Sequence, residues 1–222
     1  SAGSALDLSW ADAHVAAIID SFYPGARGGK AVAEAIFGDF SPSGKLPVTF
    51  YQGTENLPEF TDYDMSDRTY RYTDKNVLYP FGYGLHYGTI RYENAQISCA
   101  QCSVRDAVDV SVDVINESSY TIHESVQAYI QHEEADAYEP GYQLKGIQTV
   151  TLQPKETKRV TISLKARDFA IITQEGECVV RPGSYRIAIG GQQPDARSAK
   201  LTGSDVAALV VRREGAQTPV EY

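Results

Sequence analysis

The sequence predicts two architectures in tandem: a fragment of an α/β sandwich domain over residues 1–50, the C-terminal part of such a domain, then an all-β sandwich over residues 90–205. Three observations carry this. Apolar residues recur at helical spacing from Val15 to Ile36 and then switch to alternation from Val108 onward. Between them, residues 51–89 are rich in Tyr, Asp, Gly and Pro and have no clean period. That stretch is too long for an idle linker and too aromatic for disorder, so it reads as an ordered connection packed across both parts. Residues 206–222 read as a C-terminal tail.

Taken in order, Ser1-Ala2-Gly3-Ser4-Ala5 reads as a loop just after a strand. Ser9 is the expected N-cap of a first helix, in which Val15, Ile18, Ile19 and Phe22 fall at i, i+3, i+4 and i+7. Tyr23-Pro24-Gly25 stops it. A second helix is predicted over residues 29–37, with Val32, Ala35 and Ile36 inward and Gly38 just past its end. Asp39 to Gly44 is turn chemistry. Leu46–Phe50 follows as a short strand, at an edge because Pro47 cannot donate to a ladder. One strand and two amphipathic helices cannot bury their own apolar faces. Further strands are therefore expected upstream of Ser1.

Beyond residue 107, Val108, Val110, Val112 and Val114 alternate with Asp109, Ser111 and Asp113. Val126, Ala128 and Ile130 repeat the pattern, as do Ile147, Val150 and Leu152, then Val160, Ile162 and Leu164, then Tyr185, Ile187 and Ile189 after the Pro182-Gly183 turn. Shorter strands are expected at residues 92–97, 178–181 and 198–202. Seven or eight short strands over about 110 residues predict an immunoglobulin-like sandwich. The only tryptophan is Trp10, so the Cys–Trp–Cys core of antibody domains is absent and a fibronectin type III-like core is expected.

Composition narrows the partners. A formal charge of −9 over 222 residues disfavours nucleic acid. No apolar run approaches the ~20 residues of a membrane span. Cys99, Cys102 and Cys178 are too few for a disulfide framework, and Cys99-x-x-Cys102 lacks the second pair or histidines of a zinc site. The two thiols read as incidental residues near a strand end. His14, His86, His123 and His132 have no metal spacing, so no metal or cofactor is expected.

Several motifs together resemble one family. Asp7-Leu8-Ser9-Trp10-Ala11, Tyr23-Pro24-Gly25, Phe37-Gly38-Asp39 and Ser41-Pro42-Ser43-Gly44-Lys45-Leu46-Pro47 are similar to the second domain of glycoside hydrolase family 3, in its C-terminal half. Tyr79-Pro80-Phe81-Gly82-Tyr83-Gly84-Leu85-His86-Tyr87 resembles the exit from that domain. Leu144-Lys145-Gly146 and Arg181-Pro182-Gly183-Ser184-Tyr185 resemble its fibronectin type III-like third domain. The resemblance implies a retaining β-glycosidase with two carboxylates ~5–5.5 Å apart. It also implies where they reside: a nucleophilic aspartate on an N-terminal (β/α)8 barrel, and a glutamate acid/base earlier in the second domain. Neither position falls in this chain, so no catalytic residue is assigned. Asp7, Asp12 and Asp39 are explained by helix-start and turn roles.

Asp67-Arg68-Thr69-Tyr70-Arg71-Tyr72 resembles a motif of the β-xylosidase branch, with Asp67 in place of glycine. Arg68 and Tyr70 are the candidate substrate-binding residues, since an arginine fork binds hydroxyls and a tyrosine ring stacks on a sugar face. The same groups suit a polar seam between domains. Glu139 stands where many relatives carry arginine, His132 to Asp136 reads as a solvated acidic run, and Asn116-Glu117-Ser118 matches a glycosylation pattern. The expected partners are the barrel and the remainder of the α/β domain of the same enzyme and a β-linked saccharide, a xyloside or a glucoside. A homodimer contact stands as an alternative. The competing function is a non-catalytic carbohydrate-binding or adhesion sandwich. The compartment stays open between bacterial cytoplasm and secretion.

Overall fold

Alternation in the sequence becomes a two-layer sandwich in the computed structural model, which describes residues 2–73, 77–136 and 138–220. Ser1 and the end of the expected tail, residues 221–222, lie outside the described residues. The helices are α1 (Ser9–His14), α2 (Gly28–Phe37), α3 (Thr69–Tyr72) and α4 (Ala196–Thr202). The strands are β1 (Ile90–Ile97), β2 (Gln101–Ser103), β3 (Val108–Asn116), β4 (Ile122–His132), β5 (Gln143–Leu152), β6 (Thr157–Leu164), β7 (Ile171–Ile172), β8 (Cys178–Val180), β9 (Gly183–Gly190), β10 (Ala207–Glu214) and β11 (Thr218–Pro219).

A three-stranded sheet, β1-β3-β6, packs on a five-stranded sheet, β2-β10-β9-β4-β5; a small third sheet orders β11-β8-β7. The pairings are antiparallel except β2 with β10, which is parallel. Val108, Val110, Val112 and Val114 are all fully buried and meet Val126, Ala128, Ile187 and Ile189 from the other layer. Each such side chain is worth ~1.5–3 kcal/mol of burial, an upper bound because the unfolded chain is itself partly collapsed.

The first segment departs from expectation in three places. The first helix ends at His14, with Val15 already extended, and no side chain caps its start. Ser9 does not cap it: its hydroxyl donates to the Gln52 carbonyl oxygen at 2.7 Å. Val15, Ile18 and Ile19 are exposed. Short helices draw most of their stability from packing an apolar face, and this face meets no layer among the described residues. Leu46–Phe50 likewise forms no sheet strand. It runs beside residues 78–83 through a single bridge, Phe50 to Tyr79, and the Leu46 N–H to Tyr83 carbonyl bond. Pro47 has no N–H with which to extend a ladder. The second helix forms where expected, and Gly38 closes it with φ 79°, donating to the Ala35 carbonyl oxygen. Of its expected inward stripe Ala35 is buried, but Ile36 is exposed, because no layer among the described residues covers that side.

Two further corrections concern the sandwich. Residues 198–202 are helical, because Asp195 accepts from the Arg197 and Ser198 N–H groups as N-cap and Gly203 takes φ 73° at the other end. Residues 207–214, expected in the tail, form β10, which lies between β9 and β2 and carries fully buried Val211. A sandwich cut at residue 205 therefore loses an inner strand. We expect residues 88–220 expressed alone to unfold in one cooperative transition by circular dichroism, and residues 90–205 to show none.

Candidate functional site

The connection is locked to both parts by side chains of the two motifs at residues 67–72 and 79–87. On α3, Tyr70 stacks on Phe81 at 4.1 Å between ring centroids, and its hydroxyl accepts from the Leu144 N–H at 3.0 Å. Tyr129 and Tyr142 close the cluster edge-on to one another at 6.0 Å. Arg71 donates to the Gln143 side chain, and its carbonyl accepts from the Gly141 N–H at 2.8 Å. Gln127, buried on β4, donates to the carbonyl oxygens of Gly82 and Gly191, at 3.0 and 3.1 Å. Gly82 has φ 75°, and a Cβ there would stand 2.5 Å from the Gln127 and Tyr129 oxygens. Glycine is required on both counts.

On the other side, the Tyr79 hydroxyl donates to Asp12 at 2.5 Å, and Arg197 on α4 donates twice to the Leu78 carbonyl oxygen, at 3.1 and 2.9 Å. The Tyr87 hydroxyl donates to the Ala35 carbonyl oxygen at the end of α2, at 2.7 Å. Burial, with the Asp12 carboxylate beside it, holds the Tyr79 phenol well above its ordinary range.

At the centre lies a charge cluster. Glu124 is fully buried, with Lys45 Nζ 3.3 Å from Oε1 and His86 Nε2 paired to Oε2. Burial pushes the Glu124 carboxyl up, but His86, Lys45 and the Tyr92 hydroxyl outweigh it and hold it below the ordinary value. Tyr92 is driven far upward by the same burial and by Glu124. Lys45 also donates to the Gly84 carbonyl oxygen at 3.0 Å. The cluster edges a cavity of about 190 Å³ bordered by Leu85, Thr89, Gln192, Thr202 and Asp205. It ties the first segment (Lys45), the connection (His86) and the sandwich (Tyr92, Glu124) into one network. Sequence reasoning missed it, although a signal was present: Glu124 occupies the inward phase of the strand that places Ile122, Val126, Ala128 and Ile130 in the core.

The two candidate ligand residues are both engaged in protein contacts. Arg68 donates to the carbonyl oxygens of Glu59, Asp62 and Asp64 at 2.9, 2.6 and 3.1 Å, folding residues 59–68 into a loop. We expect Tyr70→Phe to lower unfolding free energy by about 1 kcal/mol, the worth of one hydrogen bond, and Tyr70→Ala to cost more through lost stacking. Urea titration of the two variants checks this.

The acidic run divides. Glu133, Glu134 and Asp136 are exposed as expected, but His132 is buried, stacked on Tyr185 at 4.6 Å and paired through Nδ1 with Glu139 at 2.9 Å. Arg181 completes the group, 2.6 Å from Glu139 and 2.8 Å from Asp136. Burial and Glu139 push the Tyr185 phenol up to about 12. Asn116 is fully buried and donates to the carbonyl oxygens of Tyr120, Leu152 and Gln153, so its amide is no surface glycosylation acceptor in this fold.

Comparison with known proteins agrees with this geometry. Residues 1–87 match the glycosyl hydrolase family 3 C-terminal domain and residues 124–193 match the fibronectin type III-like domain. A β-xylosidase from Formosa agariphila is 33% identical over 207 residues, covering 90% of this chain and 29% of its own length. A xylan 1,4-beta-xylosidase from Xylanibacter ruminicola is 35% identical over 201 residues, covering 90% of this chain and 23% of its own. A solved β-glucosidase from Erythrobacter marinus superposes with a TM-score of 0.80 at 32% identity, over 96% of this chain and 27% of that one. The chain thus spans between 23% and 29% of the length of these relatives. By motif order, by fold and by these matches, the chain belongs to glycoside hydrolase family 3, in the part that joins the family's C-terminal domain to its fibronectin type III-like domain.

Proposed function

We propose that this chain is the non-catalytic supporting part of a retaining β-glycosidase that removes terminal β-linked sugars, with β-xylosides ahead of β-glucosides. The observation that carries this reading is the distribution of bare apolar surface. The sandwich covers its own core, whereas residues 1–87 expose Trp10 (70%), Tyr23 (84%), Phe37 (83%) and Phe60 (93%). A soluble protein rarely leaves so much apolar surface unused. In this reading the surface seats the remaining strands of the α/β domain and the (β/α)8 barrel, which supply the nucleophile and the acid/base. The buried carboxylates of the described residues, Glu124 and Glu139, each face a cation and suit support rather than proton transfer.

The loop held by Arg68, and α3 behind it, then form part of the active-site rim. The preference for xylosides rests on the Arg68-Thr69-Tyr70-Arg71-Tyr72 motif and on the two xylosidases named above. The purified 222-residue chain is expected to hydrolyse neither nitrophenyl β-xyloside nor nitrophenyl β-glucoside. Turnover abolished by one Asp or Glu substitution within the chain would overturn the reading.

A further inference from the structure

Cys99 and Cys102 flank the corner where the chain leaves β1, in the three-stranded sheet, and enters β2, at the edge of the five-stranded one. The two cysteines are three residues apart across this corner, and both side chains are half-buried against the same sandwich core. The third cysteine, Cys178, sits on β8 in a different sheet. A buried cation adjoins Cys102. Arg213 is 1% exposed, with Nη1 3.8 Å from the Cys102 sulfur and Nη2 donating to the carbonyl oxygens of Val104 and Asp106. The guanidinium lies over the Phe169 ring at 4.2 Å, and its Nε has no hydrogen-bond partner among the described residues.

We propose that Cys99 and Cys102 form a redox-modification site, a dithiol that closes to a disulfide by exchange with a small or protein-borne disulfide. With oxidised glutathione as the oxidant, the Cys99 thiolate attacks one glutathione sulfur and releases glutathione thiolate, leaving a mixed disulfide on Cys99. Cys102 then loses its proton to solvent and attacks the Cys99 sulfur, expelling the second glutathione. Two protein thiols are oxidised and one glutathione disulfide is reduced to two thiols. The link would join the two sheets at their shared corner. Its loop is short, so the gain in stability lies at the low end for disulfides.

The electrostatics set the pace of closure. Burial and the Cys99 hydrogen bond raise the Cys102 thiol to about 11, Arg213 opposes them, and the charge of Asp106 adds to the rise. A thiol raised this far is almost wholly protonated at neutral pH. Closure of the mixed disulfide should therefore speed up about tenfold per pH unit below that value.

The test treats the 222-residue chain with excess oxidised glutathione, then unfolds it in the presence of N-ethylmaleimide and reads the intact mass. The expected product has lost two hydrogens and takes up one maleimide instead of three, with the link mapped to Cys99 and Cys102 by peptide digestion. Dithiothreitol should restore three. Cys102→Ser should stop at a lasting glutathione adduct on Cys99, and Cys178→Ser should close as the natural chain does. If Cys102→Ser fails to fold, Cys99→Ser serves, and should show no loss of two hydrogens. Three free thiols after treatment, adducts shared equally by all three cysteines, or closure independent of pH would overturn the proposal.

Discussion

Glu124→Ala is expected to lower the unfolding free energy by about 3–5 kcal/mol. Glu124 is fully buried, and removing it takes from Lys45 and His86, whose side chains are 12% and 10% exposed, the carboxylate they are paired with. Glu124→Gln keeps the shape and should still show most of the loss, because the charge is what is missed. Pairing Lys45→Met with Glu124→Leu should recover part of it, since an apolar replacement of a buried ion pair is often close to neutral. The pH dependence has a definite sign. The Glu124 carboxyl is held below its ordinary value of 4.5, so its contribution is present above that value and fades as pH falls below it. Urea titrations at neutral and acid pH should show the gap between natural chain and variant closing on the acid side.

Ile36→Asp and Phe37→Asp should do the reverse: leave the isolated chain's stability almost unchanged and weaken its association with the rest of a family 3 enzyme. Both side chains end α2 and are 62% and 83% exposed, so a charge there costs little in the free chain. In the proposed assembly they sit within the covered apolar face. Loss of a well-packed anchor of that kind costs about 2 kcal/mol, or about thirtyfold in Kd. Calorimetric titration against a polypeptide carrying the barrel and the earlier α/β strands reads the change, while urea titration of each variant alone should overlay on the natural chain.

What the sequence made legible follows from where each element finds its partners. The Val108–Val114 alternation was readable because β3 has both neighbours and its facing layer inside the chain. The second helix was readable because Gly38 closes it locally. The first helix was over-extended because its stripe is a promise of packing, and no described layer meets it. β10 hid in an unbroken apolar run, Ala207-Ala208-Leu209-Val210-Val211, at the end of the chain where a tail was expected. α4 hid because residues 198–202 read as one more short strand, although Asp195 is a cap that could have been read. The seam could not be read from spacing at all: Lys45, His86 and Glu124 meet only through the fold. Glutamate at an inward strand position was its one local sign.

In the proposed assembly this chain completes an enzyme whose carboxylates lie elsewhere. The most direct measurement mixes the purified chain with a polypeptide carrying the (β/α)8 barrel and the earlier α/β strands of a family 3 β-xylosidase, and follows nitrophenyl β-xyloside. Neither part alone should turn over substrate, the mixture should, and the rate should saturate with added chain at a concentration raised about thirtyfold by Phe37→Asp. Turnover by this chain alone, or a mixture that forms a tight complex yet stays inactive, would contradict the account.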